Sequence, residues 1–168
     1  MIIRCETPSD CPAVTEVNTL AFGGENEAKL IAEIRRTDRY IPELSLVAEV
    51  EGAIVGHILF SYIDLIGAET LRVLGLAPMA VLPKFQRQGI GTALVNAGLT
   101  IAEVRGEALV IVLGHPQFYN RFGFVPSVNY GIESPFPVPE DVFMVKPLLN
   151  YQQGYRGKVV YPPAFDGV

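Results

Sequence analysis

The 168-residue sequence is poor in the side chains that staple folds or hold metals, with two cysteines, Cys5 and Cys11, and two histidines, His57 and His115. Two thiols close together near the start, with no secretory leader ahead of them, read as ordinary reduced cysteines rather than a disulfide framework. A catalytic thiol needs a histidine or helix terminus to lower its pKa, and neither cysteine is assigned that role. The histidines are far apart and the cysteines lie at the other end of the chain, so no metal-ligand spacing is present and no metal is expected. Long hydrophobic runs are also missing. Every apolar stretch is cut by charge, glycine or proline, which leaves nothing able to span a bilayer and no membrane partner. The first residues, Met1 to Glu6, lack a basic region followed by an apolar run, so no signal peptide is expected and the cytoplasm is the expected location. Basic residues are outnumbered, 13 Lys and Arg against 18 Asp and Glu for a formal net charge of −5, and they form no stripe, which excludes the usual nucleic-acid binder.

What is present is a chain of one-domain length, 49% hydrophobic, large enough to bury a core without a staple. The expected organisation is a single domain over residues 1–168, with a core of about 1–147 and a C-terminal wrap over 148–168. Ile2 to Arg4 reads as a strand. Ser9 or Asp10 can cap a helix carrying Val14, Val17 and Leu20, and Gly23-Gly24 breaks it. Glu25 to Thr37 has the periodicity of a second helix. Leu46–Val50 and Ile54–Leu65, joined at Glu51-Gly52, predict an antiparallel hairpin. Leu71 to Leu82 is a nearly all-apolar strand with Pro78 inside it. Proline cannot donate to a ladder, so this strand must be at an edge, bulged, or parted from a neighbour there. A helix over about Gly89–Arg105 follows, with Ile90, Ala93, Leu94, Ala97, Ile101 and Val104 on one face, and Ala108–Leu113 is a further strand. Strand, helix and strand in that order predict a parallel βαβ unit. Phe118–Phe122 is a helical turn, Phe124-Val125 starts another strand, and Phe143–Lys146 is the last expected strand. The segment after Pro147 reads as an irregular wrap whose aromatic residues pack down.

The first turn of a helix has unpaired N–H groups and a partial positive charge. Gly89 and Gly91 let an anion approach those amides, and Lys84, Gln86 and Arg87 add donors. Two glycines at a helix start are weak evidence on their own. They fit neither the dinucleotide fingerprint nor a P-loop.

The run Val81-Leu82-Pro83-Lys84-Phe85-Gln86-Arg87-Gln88-Gly89-Ile90-Gly91-Thr92-Ala93-Leu94 resembles the central motif of the GNAT superfamily of acyl-CoA N-acyltransferases, with Gln86, Gly89 and Gly91 matching position by position. The resemblance covers about Ile2 to Lys146 and implies an α/β (mixed α+β) fold. Its centre is a mostly antiparallel mixed sheet with a parallel pair splayed at the cofactor site and helices on both faces. It implies acetyl-CoA as co-substrate. The backbone of Met79, Ala80 and Val81 would face the pantetheine arm, and Gln86, Arg87, Gln88, Gly89, Ile90, Gly91 and Thr92 would hold the pyrophosphate. Pro78 fits a strand that leaves its neighbour.

Phe118-Tyr119-Asn120-Arg121-Phe122-Gly123-Phe124 resembles the same family's Tyr-x-x-x-Gly-Phe segment. Phe118 and Phe122, four apart, read as core, whereas Tyr119 can point elsewhere. The resemblance makes Tyr119 the acid for the leaving thiolate, a role suited to a phenol with a pKa near 10. No side chain stands out as the base. Glu25 and Glu27 sit at a helix start, where carboxylates are favoured for structural reasons alone. His57 reads as a satisfied core or sheet-surface histidine, and His115, after the strand Ala108–Leu113, is the better placed of the two. Tyr119, Glu27 and His115 are the catalytic candidates. The expected activity is N-acetylation of a small-molecule or peptide amine. The alternatives are a non-catalytic acyl-CoA-binding sensor or partner module, and an O-acyl or longer-chain transferase on the same fold. A homodimer is compatible with the sequence.

Overall fold

The computed structural model describes residues 1–168. Strand β1, Ile2–Cys5, leads into a 3-10 turn over Pro8–Asp10, where Thr7 and Asp10 close a reciprocal capping box. The Arg4 guanidinium, 2.7 Å from Asp10 Oδ2, holds the Asp10 carboxyl well below the usual carboxylate range. Helix α1, Cys11–Phe22, stops at Gly23, whose φ of 70° is open to a residue without a Cβ. Helix α2 covers Asn26–Arg35. Strands β2 (Ser45–Val50), β3 (Ala53–Ile66) and β4 (Thr70–Val81) follow, then helix α3 (Ile90–Arg105) and β5 (Leu109–Leu113). A one-turn helix α4, Pro116–Tyr119, precedes β6 (Val125–Pro126), β7 (Ile132–Glu133), β8 (Phe143–Pro147) and β9 (Gly157–Val160).

The chain condenses into two compact units, one of residues 1–61, 77–101 and 164–168, the other of 62–76 and 102–163. Strands β3 and β4 and helix α3 belong in part to each. In the first unit β1 pairs antiparallel with β2, and β2 with β3, in a register that sets Val47 opposite His57 and Ala48 opposite Gly56. Side chains alternate across a strand, so Val47 and Leu59 share one face while Gly56 and Phe60 share the other. Helices α1 and α2 cover the first face, with Val14, Leu30, Ile31 and Ile34 packed on Val47 and Leu59. Helix α3 covers the second. Ile90 and Leu94 sit 3.1 Å from where a Cβ on Gly56 would lie, and the Phe60 ring fills the space a Cβ on Gly98 would take. Helices therefore lie on both faces, as predicted.

The buried stripe of α3 departs from the predicted one. It runs through Ile90, Leu94, Val95, Leu99 and Ala102, and Val104 is 84% exposed. The shift arises because Gly98, which counts for nothing in an apolar pattern, is the residue seated on Phe60.

In the second unit β4 and β5 run parallel through Leu74↔Val110 and Gly75↔Ile111. Strand β4 then continues from Leu76 to Val81, and Pro78, preceded by a cis peptide bond, lies in that continuation. Strand β8 pairs antiparallel with β5 from Leu109↔Pro147 to Leu113↔Phe143, and also with β6. The sheet is mixed and mostly antiparallel, as expected. The C-terminal segment is more regular than predicted. It holds β9, which is antiparallel to β3 at Asp64↔Val160 and parallel to β7 at Ile132↔Gly157. No helix is long and apolar enough to cross a membrane.

Candidate functional site

Strand β4 delivers the chain to a 3-10 turn over Pro83–Phe85, anchored where the Leu82 amide donates to the Val55 carbonyl at 2.8 Å. The turn is closed from within. Gln86 Nε2 donates to the Val81 carbonyl at 3.0 Å, and Gln88 Nε2 donates to the Lys84 carbonyl at 3.2 Å. Arg87 (φ 63°) and Gly89 (φ 84°) both adopt the left-handed region, which turns the backbone into α3. The first helical hydrogen bond is Ala93 N–H to the Gly89 carbonyl, 3.0 Å. The amides of Arg87, Gln88, Gly89, Ile90, Gly91 and Thr92 consequently have no acceptor within the protein.

The surroundings of these amides suit an anion. A Cβ on Gly89 would meet nothing within 4 Å. Lys84 and Arg87 are exposed and make no ion pair, so their charge is not already neutralised. Two predicted contributors act differently from the rest. Ile90 is 4% exposed and packed on Gly56, so it can offer only its amide. The Gln86 side chain is engaged on Val81 and shapes the turn. Before the turn, Met79 and Val81 are half-buried and Ala80 is buried.

Of the acidic candidates, Glu25 is exposed and paired with Lys29 at 3.8 Å. Glu27 lies in the first turn of α2, half-buried, with no ion pair or hydrogen bond.

In the second unit, His115 caps α4 through its backbone. Its carbonyl accepts the amides of Phe118 and Tyr119, both at 3.1 Å, while its side chain is exposed. Tyr119 is 8% exposed. Its ring meets Phe118 edge-on at 4.9 Å and Phe124 at 5.6 Å, and a Cβ on Gly114 would collide with it. Burial pushes the phenol up to about 12, with no hydrogen bond contributing. The aromatic assignment needs one correction. Tyr119 and Phe122 are buried, while Phe118 is half-buried under the Arg121 guanidinium at 5.0 Å.

A further cluster in the first unit escaped the sequence. His57 is fully buried, with Nδ1 3.4 Å from Asn18 Nδ2 and Nε2 3.1 Å from Ser45 Oγ. The Ser45 hydroxyl donates a very short hydrogen bond to Glu6, whose carboxylate also accepts from Arg35 at 2.7 Å and Tyr40 at 3.1 Å. Asn18 Nδ2 is the only donor available to His57 Nδ1, so Nδ1 is the bare nitrogen and Nε2 carries the proton. Desolvation holds the imidazole down to about 4. These six residues come from six separate places along the chain, and nothing in one sequence links them.

A family model for the acetyltransferase (GNAT) domain matches residues 42–126. That span takes in β2 through β6, including the whole of the turn before α3. The chain belongs to the GNAT acetyltransferase family. Among GNAT relatives, the uncharacterized N-acetyltransferase YhbS of Escherichia coli K12 is 36% identical over 168 residues, 99% of each chain. The structure of E. coli YhbS, in complex with CoA, matches with a TM-score of 0.88 at 34% identity, covering 98% of this chain and 91% of that one. A GNAT family acetyltransferase from Brucella melitensis, in complex with acetyl-CoA, matches with a TM-score of 0.80 at 31% identity over 98% and 97% of the chains. The protein is thus a GNAT acyltransferase, and its relatives match it beyond the core, through the C-terminal segment.

Proposed function

We propose that this GNAT protein transfers an acetyl group from acetyl-CoA to the amine of a small molecule or peptide, by direct attack of the amine on the thioester. The observation that carries this reading is the run of unpaired amides from Arg87 to Thr92 at the start of α3, flanked by the unpaired cations of Lys84 and Arg87. Such a terminus favours an anion through both its free N–H groups and the helix dipole. A pyrophosphate suits it, and the two closely similar structures hold CoA and acetyl-CoA. Residues 86–92 would bind the pyrophosphate, and the backbone of Met79, Ala80 and Val81 would receive the pantetheine arm.

Bound acetyl-CoA supplies an activated acyl group, and the protein's task is to orient it and manage protons. An N–H near Val81 would polarise the acyl carbonyl. Tyr119 is proposed as the donor to the departing sulfur. With its phenol raised to about 12 it stays protonated. A thiol titrates near 8.5 on the cysteine scale, so full transfer from Tyr119 is uphill. Its role is therefore a hydrogen bond to the sulfur as charge develops there, so that CoA departs as a thiolate while the proton of the attacking amine goes to a base. Glu27 and His115 are the candidates for receiving the amine's proton, since each has an unengaged side chain.

A thermal-shift series with acetyl-CoA, CoA and longer acyl-CoAs tests the binding step. A ligand at a hundred times its dissociation constant stabilises the native state by about 2.7 kcal/mol. No shift with any of them would sink the reading. Thiol release across a panel of amines then tests the chemistry. A shift with acetyl-CoA but no release with any amine would make the protein an acyl-CoA-binding module instead. In an active preparation, whichever of Glu27→Gln and His115→Ala removes the acidic limb of the kcat/KM profile identifies the base. Loss of the limb in neither points to a water chain.

A further inference from the structure

The C-terminal segment and the loop before β7 enclose an open pocket of about 340 Å³ lined by Asn129, Tyr130, Tyr151, Gln153 and Arg156. All five residues belong to the second unit, and none belongs to the turn before α3 or to the catalytic candidates. Parallel pairing of Ile132 with Gly157 brings Gly131 beside Arg156, and the Gly157 amide donates to the Gly131 carbonyl at 3.1 Å. The Arg156 guanidinium then lies against Gly131. Its Nε is 2.7 Å, and its Nη2 3.0 Å, from where a Cβ on Gly131 would be. The main chain of Arg156 is just as closely fitted, with its carbonyl 2.5 Å from where a Cβ on Gly67 would be. Two glycines thus leave room for this one arginine, Gly131 for its side chain and Gly67 for its main chain.

That guanidinium is exposed and pairs with no other group of the protein. Arg156 makes no ion pair and no side-chain hydrogen bond, although the chain has more acidic residues than basic ones. Its planar fork matches a carboxylate, which can accept two parallel N–H bonds. The walls supply the rest of a recognition surface. Tyr130 and Tyr151 meet edge to face at 5.3 Å, which holds both rings in place and leaves apolar surface to stack against. Asn129 and Gln153 add amides able to donate or accept. The volume is within the range of small-ligand pockets and near its lower end.

We propose that this pocket is a second ligand site, separate from the acyl-CoA turn, which takes a small aromatic carboxylate with its carboxylate on Arg156 and its ring against Tyr130 and Tyr151.

The protein has seven tyrosines, two of them in this pocket, and no tryptophan, so the part of the tyrosine emission that comes from the pocket is read without an indole background. The experiment titrates the full chain with benzoate, with cyclohexanecarboxylate and with inorganic phosphate, following emission and melting temperature. Saturable binding of benzoate is expected, weaker by about tenfold or more for each of the other two, a difference of about 1.4 kcal/mol. Arg156→Gln should weaken benzoate by at least that factor, and Arg156→Lys, which keeps the charge but loses the fork, should weaken it as well. Tyr151→Leu should bring benzoate and cyclohexanecarboxylate to equal affinity. Both arginine variants should keep the wild-type thermal response to acetyl-CoA, which shows that they fold and separates this site from the other. No saturable benzoate binding, unchanged affinity in Arg156→Gln, or phosphate binding as tightly as benzoate would each overturn the proposal.

Discussion

At the scale of single residues, the side chains that matter most are neutral and enclosed. His57 has a folded pKa near 4, pulled down by desolvation, against about 6.5 for an imidazole in the unfolded chain. Between those values the unfolded chain binds a proton that the native chain does not. Stability is therefore full above about pH 6.5 and is lost as the pH falls towards 4, by up to about 3 kcal/mol. Asp10, held far below the usual range by Arg4, stays ionised in the native chain, and because its carboxyl in the unfolded chain starts to protonate only as the pH nears 4, it adds slope only at the acid end of that window. Urea unfolding at several pH values from 7 to 4.5 reads this directly, and His57→Gln should flatten it. A level wild-type profile would contradict a buried neutral imidazole. Tyr119 gives the opposite signature. Its phenol titrates too high to produce an alkaline limb in kcat below about pH 11, and Tyr119→Phe should lower kcat about 10²-fold while leaving the KM for acetyl-CoA unchanged. Equal rates for the two proteins would return Tyr119 to a purely structural role, alongside Phe122 and Phe124.

At the scale of elements, helix α3 is keyed in rotation. Phe60 from β3 fits the notch at Gly98, and Ile90 and Leu94 fit over Gly56, so the helix has one seating on the sheet. Gly98→Ala forces a methyl group into the Phe60 ring and should cost about 1–3 kcal/mol, read as a lower urea midpoint at unchanged slope. An unchanged midpoint would mean that the ring moves freely. Because the same helix carries the unpaired amides at its start, this variant should also raise the KM for acetyl-CoA. The helices, the hairpin and the parallel β4–β5 unit were legible in the sequence because each rests on apolar periodicity or on glycine and proline punctuation. The turn before α3 was legible because Gln86, Gly89 and Gly91 carry a local pattern. What stayed hidden has a common physical origin in partners distant along the chain. Glycines such as Gly98 matter for what fills their missing Cβ. The His57 network joins separate segments through polar contacts without period. Strand β9 shows only Val159 as a buried residue, so neither alternation nor a continuous apolar run announces it.

At the scale of the whole molecule, the first unit is assembled from three separated stretches, 1–61, 77–101 and 164–168. The last of these is short but seated. Ala164 and Phe165 pack against the cluster formed by α1, α2 and the strands beneath them. Removing residues 164–168 should lower stability by about 1–3 kcal/mol and leave the acetyl-CoA response intact, as a thermal melt with and without the ligand would show. An unchanged melting temperature would mean that this stretch only rests on the surface. The same arrangement sets an order of events during synthesis. Residues 1–61 leave the ribosome well ahead of Phe165, with the whole of 102–163 made in between. The α1–α2 cluster therefore spends that interval without its final cover, and the nascent chain is exposed to chaperones and to aggregation until the last stretch arrives.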